Sequence, residues 1–549
     1  MPLFSRPSPP ARTRVLLTSV FGPFSQDDAF GSRAINPLEL YHNQVTRAQG
    51  PFSLRMHHRS WGIMLIQENI SAATTLLDFP TRERFVDELQ STYYDIVGIS
   101  GIIVNVGKVR EMCRLVRQHS PASTIVMGGH VAALPDIAQQ VDADYIVKGE
   151  GIRWFRELLG DPVDAPIVHP SIPSSFGFRL MGLQAPSGGG DPSATIIPSV
   201  GCPMGCSFCT TSSFFGGKGQ FVNFYETGSE LFDVMCKAER ELSTRTFFMM
   251  DENFLLYRKR ALELLEQMKR HNKPWSMFVF SSANAIRKYT MRELVELGVT
   301  WIWLGLESPQ AGYVKLKNAD TIALTRELQS HGISVQGSTI IGMEHHTPEN
   351  IEDEIEFAVS HDADCHQFML YTPMPGTPLH RDVQRDGRLL EGIELADIHG
   401  QYKFNFRHPH ISRDDSKRWL DFAFQRDYDV NGPSLFRMMR TRFDGWLRYR
   451  DDSDARVRAR FEADARKFRY GWGAALWAME RFLRDSNDAA SMRIGQLRER
   501  VEDEFGTVAR AIDQVAGSVL LWSARREATA YPQGRPLEPR TFVDRRRWA

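Results

Sequence analysis

The chain has 549 residues, which at ~150 residues per domain suggests three or four domains. Hydrophobic residues make up 42% and charged residues 24%, near the globular average, so wholesale disorder is excluded. A balance of 66 Lys+Arg against 67 Asp+Glu excludes a chain built mainly to coat nucleic acid or an anionic membrane, and six cysteines are too few for a disulfide scaffold.

Residues 1–12 carry Pro2, Pro7, Pro9 and Pro10 and read as a flexible leader. The apolar piece Val15–Phe21 is too short and too polar for a signal-peptide core, and no apolar run reaches the ~18 residues of a membrane span. A reducing cytoplasm is the expected compartment.

Residues 13–165 alternate strands and helices. Strand candidates are Arg14–Phe21, Asp95–Ser100, Ser123–Met127 and Tyr145–Val147. Helix candidates are Lys108–His119, with Val109, Met112, Cys113 and Val116 on one face, and Leu134–Val141. Small residues follow the strands: Ser100-Gly101, Gly128-Gly129-His130 and Gly149-Glu150-Gly151. This pattern predicts a doubly wound, Rossmann-like parallel sheet that binds ligand at its strand C-termini. Residues 166–192, closing on Ser187-Gly-Gly-Gly-Asp-Pro192, read as a linker.

A second alternation fills 193–410. Strands are predicted at Thr195–Val200, Thr246–Asp251, Ser276–Ser281, Thr300–Leu306, Ser334–Ile341 and Gln367–Tyr371. Helices are predicted at Ser229–Leu242, Tyr257–His271, Met291–Leu297, Thr321–His331 and Glu349–Ser360. Six βα units fall short of the eight that close a TIM-type barrel, so an open, partial (βα)6 barrel is expected, with its chemistry at the strand C-termini. Residues 411–549 form a helical C-terminal region: Arg413–Arg450, Asp454–Asp485 and Ser491–Ser523 have helical spacing, and Arg540–Ala549 reads as a loose basic tail. The fold class is therefore α/β, with a helical C-terminal region.

Cys202, Cys206 and Cys209 follow the first barrel strand on one tight loop. Thiolates select zinc, Cu(I) or iron–sulfur clusters. A structural zinc site needs a fourth ligand, and Cys236 falls inside a predicted helix. Three thiolates on a cubane leave one iron open.

This arrangement, with Phe208 before the last cysteine, resembles the radical S-adenosylmethionine superfamily. The resemblance implies a 4Fe–4S cluster whose open iron chelates S-adenosyl-L-methionine, reductive cleavage of the sulfonium, and hydrogen abstraction from an unactivated carbon. It makes the three cysteines catalytic and metal-binding. It also implies contacts to S-adenosylmethionine or substrate from Asp251-Glu252-Asn253, from Gly305 and Glu307 in Trp303–Ser308, and from the Gly337–Gly342 segment beside adenine. Competing readings are an Asx turn or helix cap for the first group and a helix N-terminal carboxylate for Glu307. Tyr371–Pro378 looks like the turn of members with an extra N-terminal domain. Ser281–Asn284 reads better as a turn than a cofactor contact. Glu344-His345-His346 reads better as surface or pocket than metal, because neighbouring loop side chains diverge.

A Rossmann-like domain ahead of such a barrel resembles the cobalamin-binding arm of the superfamily. Ser100, Gly101, Gly128, Gly129, His130, Gly149, Glu150 and Gly151 would then border cobalamin. No histidine fits the Asp-x-His-x-x-Gly pattern of histidine-on forms, so cobalt without a protein histidine is expected; the competing reading is a degenerate sheet that only packs on the barrel. The resemblance implies a cobalamin-dependent C-methyltransferase acting on a small-molecule or lipid-like substrate. Related alternatives are cyclisation, rearrangement or C–C coupling without methyl transfer, and a non-catalytic metal-binding scaffold. Expected partners are the substrate and an electron donor such as flavodoxin or ferredoxin; no nucleic acid is expected. The aromatic residues Trp419, Phe422, Phe424, Phe436, Trp446, Trp472, Trp477 and Phe482 read as core, or alternatively as a cover over the barrel mouth. Gly473–Ala478 is a candidate for peripheral membrane contact.

Overall fold

The computed structural model describes residues 13–20, 44–56, 58–174, 178–185, 193–307, 319–531 and 541–548, without the side chains of 507–509. The leader 1–12, Phe21, Ser187–Pro192 and Ser308 lie outside the described residues.

The first sheet is built from β1 (Arg14–Ser19), α1 (Trp61–Glu68), β2 (Ala73–Asp78), α2 (Arg82–Ser91), β3 (Ile96–Ser100), α3 (Val106–His119), β4 (Thr124–Gly128), β5 (Tyr145–Ile146) and α4 (Gly151–Leu159). These strands run parallel in the order β2-β1-β3-β4-β5. Apolar clusters cover both faces: Val109, Met112, Cys113 and Val116 of α3 pack on one, and Ile63, Met64 and Leu65 of α1 on the other. That is why the strands read as continuous apolar runs rather than alternating ones. Ser19, Ser100 and Gly128 end in register, so their loops share one rim. The predicted helix Leu134–Val141 shrinks to one turn, Ile137–Gln140. Pro135 is the reason: the residue before a proline is pushed out of the helical region, and Leu134 is extended at φ −61°, ψ 131°.

The second sheet comprises β6 (Ile172–Pro173), β7 (Ser193–Ile196), β8 (Thr246–Met249), β9 (Ser276–Ser281), β10 (Val299–Gly305), β11 (Ser334–Ile341) and β12 (Cys365–Leu370), in that spatial order. The last six are parallel and carry the intervening helices; β6 joins β7 antiparallel. The stretch read as linker is thus partly sheet. β6 covers the otherwise open edge of β7, and Phe178–Leu180 with Leu183–Ala185 forms a hairpin against Arg55–Met56. His169 ties this stretch down, its Nε2 accepting from the Ile197 amide at 2.9 Å. Residues 44–56, although they precede most of the first sheet, pack on the barrel. Val45 sits with Cys365, Trp301 and Met438, and Gln367 Nε2 donates to Gln44 Oε1 at 2.8 Å.

The C-terminal helices α5 (Arg413–Asn431), α6 (Ser434–Tyr449), α7 (Ala455–Lys467), α8 (Gly473–Leu483) and α9 (Asp488–Ala530) pack on the outside of the barrel and extend its core. One helix was predicted across 413–450; Gly432 (φ 77°, ψ −171°) and Pro433 break it into two. Phe424, Phe436 and Trp446 are buried, and none of the eight aromatic residues lines the cavity described below, so they build core and do not cover the barrel mouth. In Gly473–Ala478, Ala474, Leu476 and Ala478 are buried against α9, where Gly517 lets the helices touch. Among the described residues no helix is long and apolar enough to cross a membrane.

The basic tail is not loose. Phe542–Arg546 forms β13, antiparallel to β2 on the outer edge of the first sheet. Its charges have partners there: Arg545 pairs with the fully buried Glu88 at 2.7 Å, Arg546 with Glu68, and Trp548 Nε1 donates to the Thr74 carbonyl at 2.8 Å. A run of arginines looks soluble in sequence, but complementary carboxylates on α1 and α2 turn it into an edge strand.

Candidate active site

The cysteine loop begins just after Ser199–Val200, which pairs antiparallel with Val222–Asn223. Gly205 lets it fold back: its φ is +67°, and a Cβ would lie 2.5 Å from Lys218 Cβ. The loop closes on itself, with Cys209 N donating to Cys206 O at 3.0 Å and Ser212 Oγ to Cys202 O at 2.7 Å. Cys209 then caps the one-turn helix Thr210–Phe214. None of the three cysteines forms a disulfide; all are half-buried and line one cavity of about 410 Å³ at the C-terminal ends of the barrel strands. Burial first, and then the other two thiols, pushes the Cys202 thiol up to about 11. A site that disfavours bare thiolates in this way gains most from a bound cation.

Phe208, Glu252, Asn253, Gly305 and Glu307 line the same cavity. Asn253 is held rigidly, its Oδ1 accepting from Ser281 Oγ and the Ser282 amide, both at 3.1 Å. Burial raises the Glu252 carboxyl to about 8. Asp251 does not face the cavity. It is buried against Arg260 and accepts from Ser199 Oγ at 2.8 Å, which fixes the loop that aims Glu252. Gly337 and Gly342 also stay out of the cavity. A Cβ on Gly337 would meet Leu306 at 2.6 Å, and one on Gly342 would meet the Phe404 ring at 2.3 Å, so both serve packing. Of Ser281–Asn284, the two serines reach the cavity and Asn284 does not.

Phe280, Met369 and His399 also line the wall and were not singled out from sequence, and Trp303 and Tyr371 were named only as the first residues of motif segments. The signal was present as strand alternation. Phe278 and Phe280 lie on one face of β9 and Trp301 and Trp303 on one face of β10, and their rings stack pairwise at 5.1 and 4.9 Å.

A second cavity of about 510 Å³ opens between the first sheet and the barrel. Its rim holds Ser100, Gly101, Gly128, Gly129, His130, Gly149, Glu150 and Gly151. Gly129 is obligatory, with φ +82° and a notional Cβ 2.5 Å from Gly101 O. Gly149, at φ +90° with nothing within 4 Å of such a Cβ, leaves a cradle that a side chain would fill. The Glu150 carboxylate is already engaged, capping α4 and pairing with Arg153 at 3.3 Å. His130 stacks on Phe214 of the cysteine-loop helix at 4.7 Å, and burial lowers its imidazole to about 4, so it is neutral. His58, Arg59 and Trp61 also line this cavity. A large, mostly apolar hollow with glycine at its rim suits a bulky planar macrocycle. Glu252 lines both cavities and stands where they meet.

His345, His346 and Glu354 lie within 4.8 Å of one another, yet they make a poor metal site. His346 Nδ1 accepts from the Gly342 amide at 3.0 Å, which leaves the proton of the neutral ring on Nε2.

Two family models match the chain: Radical SAM superfamily over residues 196–358 and B12 binding domain over 58–159. Bacteriochlorophyllide d C-8(2)-methyltransferase of Chlorobaculum tepidum is 25% identical, covering 60% of this chain and 75% of its own. Hopanoid C-2 methylase of Rhodopseudomonas palustris is 26% identical, covering 60% and 62%. The solved structure of the radical S-adenosylmethionine methyltransferase TsrM from Kitasatospora setae, with tryptophan and aza-SAM bound, superposes with a TM-score of 0.51 at 16% identity, covering 82% of this chain and 98% of that one; it supports the fold. The chain belongs to the radical S-adenosylmethionine superfamily and carries a B12-binding domain. Those domains imply a 4Fe–4S cluster, S-adenosylmethionine and cobalamin as cofactors.

Proposed function

We propose that this enzyme methylates an unactivated carbon of a small-molecule or lipid-like substrate. One observation carries the reading: the cysteine cavity and the glycine-rimmed cavity meet at a single side chain, Glu252. When bound, the cluster with S-adenosylmethionine supplies a hydrogen-abstracting 5′-deoxyadenosyl radical, and cobalamin supplies the methyl group.

Cys202, Cys206 and Cys209 would hold three irons from one loop. Glu252 and Glu307 offer carboxylate oxygens to the α-ammonium of S-adenosylmethionine, and the rigid Asn253 orients the neighbouring wall. Gly128 and Gly149 would let backbone approach the corrin, on loops whose close packing Gly101 and Gly129 permit. Phe280, Trp303, Tyr371 and Met369 exclude water and present a flat apolar wall to substrate. No lysine or arginine lines this cavity among the described residues, which disfavours an anionic reacting moiety. Reductant would come from a low-potential donor such as flavodoxin or ferredoxin.

The test is isotope transfer. Protein reconstituted anaerobically with iron, sulfide and cobalamin, incubated with extracts and methyl-labelled S-adenosylmethionine, should move label into product and release S-adenosylhomocysteine with 5′-deoxyadenosine. Deoxyadenosine without S-adenosylhomocysteine would transfer the assignment to cyclisation, rearrangement or coupling chemistry.

A further inference from the structure

The last strand of the chain lies beside the cobalamin-side cavity. β13 pairs with β2 over five residues, Phe542 opposite Asp78 through Arg546 opposite Thr74. Among the described residues it is the one antiparallel member of that sheet, and the element before it in sequence, α9, is packed on the barrel. Phe542 faces inward, against the apolar cluster that includes Val147, Ile152 and Phe155. The Arg59 guanidinium lies over the Phe542 ring, 3.9 Å from its centroid. Arg59 is itself part of the cavity wall, as are Val147, Ile152 and Phe155.

A guanidinium lodged in an apolar wall needs compensation, and Asp78 and Phe542 contribute to it. Burial lowers the Arg59 pKa while the Asp78 charge raises it. Asp78 is itself held by Ser19 Oγ at 3.0 Å and the Ser60 amide. The ring face of Phe542 covers the cation from the other side. The strand is anchored independently of this contact by Arg545 on Glu88, by Arg546 on Glu68 and by the Thr541 hydroxyl on the Phe79 carbonyl at 3.2 Å.

We infer that the C-terminal strand is a clasp for the cobalamin cavity, in which Phe542 acts as a positioning residue that holds Arg59 in the wall. The inference rests on the cobalamin reading of that cavity. It assigns to the last eight described residues a role in cofactor retention, through contacts that neither matched domain contains: the B12-binding match ends at residue 159.

The experiment is equilibrium binding of hydroxocobalamin to the full-length chain, read from the visible absorbance retained after gel filtration and from the dissociation constant. Thermal unfolding of each protein is recorded in parallel. Phe542→Leu keeps apolar bulk and removes the ring face, Phe542→Trp keeps a ring face, and Val543→Thr alters the outward side of the same strand, where Val543 is 39% exposed. Phe542→Leu should bind cobalamin roughly three- to thirtyfold more weakly, whereas Phe542→Trp and Val543→Thr stay near wild type. The inference is overturned if Phe542→Leu binds like wild type, or if either of the other variants is weakened as much as Phe542→Leu, since that would mark a general effect on the strand. Wild-type protein that takes up no cobalamin would instead remove the reading beneath it. Binding by wild type with unaffected variants removes only the clasp.

Discussion

The two cavities are built by opposite means. The barrel cavity is defined by what its side chains carry: three thiols on one loop, two carboxylates, and a wall of stacked rings. The cavity beside it is defined largely by what is missing, with Gly128 and Gly149 opening its rim and Gly101 and Gly129 packed tightly behind them. Removing chemistry should therefore silence the first, whereas adding bulk should close the second. Asp251 and Arg260 support the first from behind, as β13 and Asp78 support the second. In both, the residues that touch the cavity depend on buried polar groups that do not.

The largest expected effect is on the chemical side. Replacing Cys202, Cys206 or Cys209 by alanine should abolish iron–sulfur loading and reductive cleavage of S-adenosylmethionine, while cobalamin uptake persists. Iron and sulfide assays, 5′-deoxyadenosine by mass spectrometry and visible absorbance of bound cobalamin check the three parts. Loss of cobalamin along with the cluster would dissolve the distinction between the sites.

Next comes Asp251→Asn, which leaves Arg260 buried at 3% exposure without its ionic partner. Breaking such a pair costs about 3–5 kcal/mol. Chemical denaturation should show that loss, together with weaker retention of the cluster, since Ser199 loses an anchor just ahead of Cys202. Gly129→Ala should act on the other cavity alone. The left-handed backbone and the 2.5 Å approach to Gly101 O would cost roughly 1–3 kcal/mol, with loss of cobalamin binding and an intact iron–sulfur spectrum.

The smallest effect tests a region that serves neither cavity. Asp513 is fully buried against the start of α8, and desolvation raises its pKa to about 6, offset only in part by the Ala474 backbone amide. The folded protein therefore binds this proton more tightly than the unfolded chain does. Its contribution to stability is present at low pH and is lost as pH rises through about 6. Asp513→Asn should raise the melting temperature at pH 8 by roughly 2 °C, with the difference vanishing near pH 4. Both cofactor-loading assays should be unchanged.

Much of this was legible before the structure. The six parallel barrel strands and the helices between them appear near their predicted bounds, because strand and helix periods differ and glycine turns separate them. The cysteine loop was legible because one loop carries all of it. What failed had non-local causes. The 166–192 stretch looked irregular, yet β6 is a strand because β7 offers an unpaired edge. Arg540–Ala549 looked loose because Glu68 and Glu88 lie more than 450 residues earlier in the chain. Asp251 and Glu252 are adjacent in sequence, and only packing sends one to Arg260 and the other to the junction of the cavities.

The amino-acid sequence by itself determined the local chemistry: which loop offers thiols, where strands end in glycine, and hence which class of reaction the chain is built for. Tertiary structure alone decided which carboxylate faces the cofactors, which rings wall the barrel, and that Phe542–Arg546 pairs with the edge of the first sheet. The physical reason is range. Turn geometry and periodicity are set by neighbours a few residues apart. Burial, edge pairing and charge compensation depend on partners hundreds of residues away, and no local pattern records them.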